Sequence, residues 1–410
     1  MAAPPDILWI VTTQWRAQAC GYAGDPNART PRLDRLAAGS IDFTQAVTPH
    51  PFGPFARAAL LTGVLSPKNG VRDYFDPLPK GARTLAHTLG GSGYATAFFG
   101  KWHLSRRDPS AAMVGEAHAR MIVAPEDRGG FEFWEGFESG FLLNDPWMHG
   151  TRLGQPTRFG GYQASVLCGR SADWIRSQRT HPWFCIVSLE APHPPYDAPA
   201  PGAAFRDPRE IVLPGNVPCG GDAEVRARRE LAGYYAHIEA TDRAVGSLID
   251  AAPASAVIVF TSVHGDMHGA HGLFRKGWPH EESVRVPLLV RLPSGGPSRN
   301  GVRTRQAVSL VDLHKWTSAW AGLEGSESGS CAPSFPRAEV QLISMPSAVP
   351  FPLQCDRPWR GLRTPGRKLI LNEDGSPWLF FDLESDPLEM NNLASDPSHA
   401  GEMRALSRLL

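Results

Sequence analysis

The side chains able to do chemistry in this chain stand at the ends of short apolar runs. Thr12, Thr13 and Gln14 follow Ile7-Leu8-Trp9-Ile10-Val11, and Lys101 and His103 follow the run 94–99. Glu190 and His193 come after 183–189, and Thr261, Ser262, Val263 and His264 after 256–260. Lysine and histidine in such places are hydrogen-bond donors for an anion, and histidine is also an acid–base group near neutral pH. Residues 57–61 read as the start of a helix, whose free N–H groups and dipole favour negative charge. There is no Gly-x-Ser-x-Gly elbow and no Gly-rich phosphate loop. The six cysteines (Cys20, Cys168, Cys185, Cys219, Cys331, Cys355) are scattered, with no Cys-x-x-Cys pair for zinc or redox work.

The apolar runs are of strand length and lack alternation, which suits a parallel sheet covered on both faces by helices. Ligands of such sheets bind beyond the carboxyl ends of the strands, where these polar residues gather. Thr30-Pro31 opens a helix with Leu33, Leu36 and Ala37 on its apolar face and Gly39 as its stop; Thr30 is the candidate N-cap. Residues 225–249 carry the longest helical stripe, through Leu231, Tyr235, Ile238 and Val245. A segment rich in Ser, Gly and Pro at 324–336 reads as a linker. Beyond it, 360–371 and 378–383 read as a hairpin around Asn372-Glu373-Asp374-Gly375, and 398–410 as a closing helix.

The chain has 410 residues, with 41 Lys plus Arg against 41 Asp plus Glu, so its overall field attracts neither nucleic acid nor acidic membranes. Any preference for anions must come from a local pocket. No apolar stretch approaches the ~18–20 residues that span a bilayer, and the first residues lack the basic and long apolar regions of a signal peptide. The expectation is a cytoplasmic protein with reduced thiols.

From end to end the chain resembles the sulfatase family of the alkaline phosphatase superfamily, particularly its phosphonate monoester hydrolase and choline-sulfatase-like members. The resemblance rests on Pro5-Asp6-Ile7-Leu8-Trp9-Ile10-Val11-Thr12-Thr13, Thr30-Pro31-Arg32-Leu33-Asp34-Arg35-Leu36-Ala37 and Arg57-Ala58-Ala59-Leu60-Leu61-Thr62-Gly63. It continues through Gly100-Lys101-Trp102-His103, Ala191-Pro192-His193-Pro194-Pro195-Tyr196, Glu281-Glu282-Ser283-Val284-Arg285-Val286-Pro287 and Phe381-Asp382-Leu383-Glu384-Ser385-Asp386-Pro387. It implies an α/β fold: an alkaline-phosphatase-like sandwich with a large, mostly parallel sheet flanked by helices, plus a small C-terminal α+β subdomain. The expected division is 1–323 and 324–410.

The same resemblance identifies what is missing. The family places a Cys or Ser, oxidised to formylglycine, four residues before the arginine that is Arg57 here, and that place is Gly53. Reading Phe52-Gly53-Pro54 as the family's Cys-Gly-Pro puts Phe52 there instead; neither register supplies a nucleophile. The metal-binding Asp after the first strand is replaced in Thr13-Gln14. The late Ser-Asp-His-Gly-Asp appears as Ser262-Val263-His264-Gly265-Asp266, with Val263 in place of a ligand. A divalent Ca, Mg or Mn ion needs several charged oxygens, so no cofactor is expected unless this site is less degenerate than it reads.

What remains is cationic. By resemblance, Arg57 holds the nucleophile's hydrate, Lys101 and His103 contact the transferred group, and His193 and Lys276 face the leaving-group oxygen. With His264, these residues are expected to bind a small anion of sulfate, phosphate or carboxylate type, with the imidazoles pushed toward neutrality by like charge. A homo-oligomer is compatible with the resemblance. Three activities are open: a pseudoenzyme with an anion-binding pocket, a metal-independent enzyme using His/Lys acid–base chemistry, or a residual sulfuric or phosphoric ester hydrolase. His264, His268 and His271 also raise a fresh metal site, and Cys20 a substitute nucleophile.

Overall fold

The computed structural model describes residues 4–178, 182–293, 301–323, 340–347 and 354–410. Its large sheet is built from β1 (Ile7–Thr12), β2 (Ile41–Val47), β3 (Ala95–Lys101), β4 (Phe133–Phe137), β5 (Trp147–Gly150), β6 (Leu153–Arg158), β7 (Trp183–Ser188), β8 (Val257–Ser262), β9 (Leu288–Arg291) and β10 (Val302–Ser309). The strand order is β10-β2-β9-β8-β1-β7-β3-β4-β5-β6. The five strands from β8 to β4 pair in parallel, and antiparallel pairings flank them. The fold expectation therefore holds. The uniform apolarity of β1 has a direct cause. Ile7, Trp9 and Val11 enter one core cluster while Leu8 and Ile10 enter another, so both faces are covered.

Parallel register brings the site together. Val11 lies opposite Ser188 and Thr261, and Gly100 opposite Ser188. The residues that follow β1, β3, β7 and β8 therefore emerge at one edge. Gly100 is essential to this approach: its φ is 99°, and a Cβ there would lie 2.1 Å from the Ser188 carbonyl oxygen.

Helix α1 (Pro31–Ala38) buries Leu33 and Leu36 as expected, but Thr30 does not cap it through its side chain. The Thr30 hydroxyl instead donates to Asp34 and accepts from the Gly21 N–H. Helix α2 (Gly53–Thr62) starts at Gly53, one turn before the expected Arg57, and Phe52 is its N-cap. Residues 53–61 are all buried, and Pro54 stands in the first turn, where its missing N–H costs nothing. The long helix Asp222–Ala251 buries Leu231, Tyr235, Ile238 and Val245 against the sheet, as its stripe predicts.

The C-terminal sheet has four antiparallel strands, β11 (Gln341–Met345), β12 (Trp359–Arg363), β13 (Arg367–Leu371) and β14 (Pro377–Asp382). The expected hairpin is β13–β14, but 360–371 holds two strands rather than one, turned at 364–366. The closing helix is shorter than read, Ala400–Ser407. The linker reading at 324–336 falls outside the described residues. Among the described residues, no helix is long and apolar enough to cross a membrane.

Candidate functional site

A cavity of about 1060 Å³ opens at the carboxyl edge of the sheet, with Thr13, Gly53, Lys101, His103, His193, His264 and Lys276 in its wall. Five of the six cationic or imidazole residues singled out from sequence thus share one cavity. Arg57 does not line it. Its guanidinium lies 5% exposed behind the wall, donating to the Lys101 carbonyl at 3.1 Å, the Thr13 hydroxyl at 2.9 Å and the Ser188 hydroxyl. Its role in this structure is to tie α2 to the ends of β1, β3 and β7.

The space beside Gly53 is already filled. A Cβ on Gly53 would stand 2.8 Å from His103 Nδ1, closer than such atoms approach. The His103 ring therefore occupies the space into which a residue-53 side chain would project. Its Nε2 is 3.2 Å from the Tyr74 hydroxyl, and its Nδ1 is buried without a hydrogen-bond partner. His103 has φ 60° and Gln14 φ 68°, so two non-glycine residues of the site sit in the left-handed region.

Two carboxylates amend the expectation of an unneutralised cationic pocket. Glu190, fully buried, accepts from Lys101 Nζ at 2.6 Å. Asp266, equally buried, accepts from the Tyr196 hydroxyl at 2.6 Å, from Gln14 Nε2 and from the backbone N–H groups of His268 and Arg275. Burial favours the neutral acid, but the neighbouring His268 and Arg275 and these donors hold Asp266 below the usual carboxylate range. The sequence showed Glu190 at the end of an apolar run and Asp266 inside the 262–266 motif, but gave neither a role in the site. Their partners lie far along the chain.

Lys276 is the pivot. Its ammonium donates to Gln14 Oε1 and lies 2.8 Å from His193 Nε2. Since His193 Nδ1 is 2.8 Å from the Pro194 carbonyl and must donate to it, Nε2 is free to accept. His193 is thus neutral, and stacks face to face on Phe141 with ring centroids 4.4 Å apart. His264 Nδ1 likewise donates to the Gly265 carbonyl, leaving Nε2 buried and unpartnered.

Burial, then repulsion from Lys101, pushes Lys276 down to about 7. Burial also lowers Lys101 to about 8 against the pull of Glu190. Burial is the first cause again for His103, His193 and His264, with the nearby cations second, and all three fall well below the usual 6.5.

These residues do not suit a divalent ion. At the places where relatives put carboxylates stand a threonine hydroxyl donating to the Leu189 carbonyl, a glutamine oxygen engaged by Lys276, and fully buried Val263. The Lys276 ammonium already supplies a positive charge at Gln14, and a second cation there would meet repulsion. His264, His268 and His271 do not converge: the group with ligand spacing among the described residues is His271, Glu282 and Glu389. His268 is wedged against the Tyr196 and Tyr234 rings and lowered to about 4 by burial. Cys20 is buried, and its thiol is pushed far up by desolvation, which makes it inert as a nucleophile.

The shifts predict opposite pH trends for stability and ligand binding. The unfolded chain takes up protons on histidine near 6.5 that folded His103, His193 and His264 refuse, so stability falls as pH drops below that value. Between about 7 and the ordinary lysine value of 10.5, the unfolded chain holds more protons than Lys276 and Lys101 do, so stability from these groups rises with pH. Affinity for an anion held by these two ammoniums would run the other way, being lost as they deprotonate above 7–8. Urea unfolding and sulfate titration at pH 5.5, 7 and 8.5 check both trends.

Comparison with known proteins adds to this geometry. The family model described as Sulfatase matches residues 5–323. An ulvan-active sulfatase from Formosa agariphila is 32% identical over 416 residues, covering 96% of this chain and 78% of that protein. A choline-sulfatase from Rhizobium meliloti is 26% identical, covering 96% of this chain and 83% of its own. The solved structure of yidJ from Bacteroides fragilis superposes with a TM-score of 0.85 at 24% identity, covering 100% of this chain and 95% of that one. The phosphonate monoester hydrolase of Agrobacterium radiobacter shares the fold with a TM-score of 0.75 at 21% identity, covering 99% of this chain and 94% of that one.

Proposed function

Because the chain belongs to the sulfatase family of the alkaline phosphatase superfamily, we propose that it is a member whose formylglycine chemistry has been replaced by reversible binding of a small anion. The observation that carries this reading is the His103 ring standing against Gly53, 2.8 Å from where a Cβ would be. No atom at residue 53 attacks sulfur or phosphorus. The charge a metal would supply comes from the Lys276 ammonium, held by Gln14 and His193. Lys101 and the N-terminus of ten-residue α2 complete a positive floor for a sulfate, phosphate or carboxylate group. Five described cysteines are free and Cys219 is exposed, which supports a reducing, cytoplasmic setting.

The test pairs two measurements on the purified protein. Sulfate binds with an affinity that falls above pH 8, and aryl sulfate, phosphonate monoester and phosphate ester hydrolysis stays at the level of a blank. Ester hydrolysis abolished by a chelator overturns the proposal.

One observation favours a second reading, metal-independent acid–base chemistry. Lys276, lowered to about 7, can give up or take a proton near neutral pH, and neutral His193, 2.8 Å away, accepts a hydrogen bond from it and orients it. If alanine at His193 and at Lys101 leaves every detectable activity unchanged, that reading fails.

A further inference from the structure

The cavity has two unlike walls. The cationic floor lies at the sheet edge, while the opposite wall is made largely by Pro195, Ala198, Ala200, Ala203, Ala204 and Phe205. At its mouth Phe205 is 90% exposed and Val114 64% exposed, two large apolar side chains left in water beside one opening. Such side chains gathered around a concave site mark a surface that a ligand covers.

Two arginines on that side are already engaged, while Asp197 and Arg229 line the cavity exposed to water. Arg206 pairs with Glu239 and donates to the Asn27 carbonyl. Arg275 is bound by Glu230 through two hydrogen bonds. The apolar side chains from Pro195 to Phe205 in this wall carry no donor or acceptor, so a hydroxyl laid on them would lose water without exchange, whereas a hydrocarbon body would lose nothing by desolvation.

Resting on the anion-binding reading above, we propose that the ligand is an amphipathic organic anion: a sulfate, phosphate or carboxylate head seated between Lys101 and Lys276, carrying an apolar alkyl or aryl body along the 195–205 wall. The head is chosen by charge complementarity with the floor. The body is chosen by the wall, which rewards each buried methylene by about fourfold in affinity.

The test compares inorganic sulfate, methyl sulfate, glucose 6-sulfate and octyl sulfate, the last below its micellar concentration, by calorimetric titration at pH 6.5. Octyl sulfate binds at least tenfold tighter than methyl sulfate and than glucose 6-sulfate. Phe205→Ala and Ala204→Glu each shrink the octyl-to-methyl ratio, with folding checked by circular dichroism. An octyl-to-methyl ratio near one, or tighter binding of glucose 6-sulfate, overturns the amphipathic assignment while sulfate binding upholds the anion site. If none of the four probes binds, the anion-binding reading and this inference fall together.

Discussion

Lys276→Met lowers the affinity for inorganic sulfate by about 30-fold or more at pH 6.5. Truncating one partner of a buried, hydrogen-bonded charge pair costs about 2–5 kcal/mol, and the lower bound corresponds to that factor. The effect is large here because the ammonium does two jobs. It is a cation of the pocket floor, and it screens the incoming anion from Gln14 Oε1 and from Asp266 behind it. Methionine fills the volume but removes the charge and leaves Gln14 Oε1 without its donor. Stability should move little or rise, since burial already disfavours this charge and holds it at about 7. Titration calorimetry together with thermal unfolding separates the two effects. Unchanged sulfate affinity in a folded variant would remove Lys276 from the site.

Glu190→Gln has the largest expected effect on stability. Glu190 and Lys101 are both buried, 2.6 Å apart, at the ends of neighbouring strands β7 and β3. Losing the carboxylate strands the ammonium in a low-dielectric interior, at a cost of about 3–5 kcal/mol. The pH dependence identifies the cause. Lys101 sits at about 8 with Glu190 present, and lower without it, so raising the pH above 8 neutralises the stranded lysine and recovers much of the loss. Chemical denaturation at pH 6.5 and pH 9 reads this directly. The double variant Glu190→Leu, Lys101→Met should restore most of the stability, because matched apolar groups replace the pair. A destabilisation equal at both pH values would trace to packing rather than to charge.

Much of the site was legible because its residues end strands. Lys101, His103, His193 and His264 each follow an apolar run, and parallel pairing then forces them to one edge. The absence at residue 53 was legible too, being a matter of residue identity. Arg57 was legible only as a family position. Its place behind the wall depends on acceptors from Thr13, Lys101 and Ser188, three segments distant in sequence. The start of α2 was placed a turn late because Gly53-Pro54 reads as a turn, although Pro54 sits in the first turn of the helix, where proline is tolerated, and Phe52 is the N-cap.

The sheet, the family and the list of groups with chemistry follow from hydrophobic pattern and residue type alone. How those groups are charged and which of them share the cavity depend on packing between distant segments. Lys101 finds Glu190 across 89 residues and Lys276 finds Gln14 across 262. Desolvation then lowers both lysines, while hydrogen bonds to the Pro194 and Gly265 carbonyls set the tautomers of His193 and His264. Charge state in an interior depends on distance and dielectric, and neither is written in the order of residues.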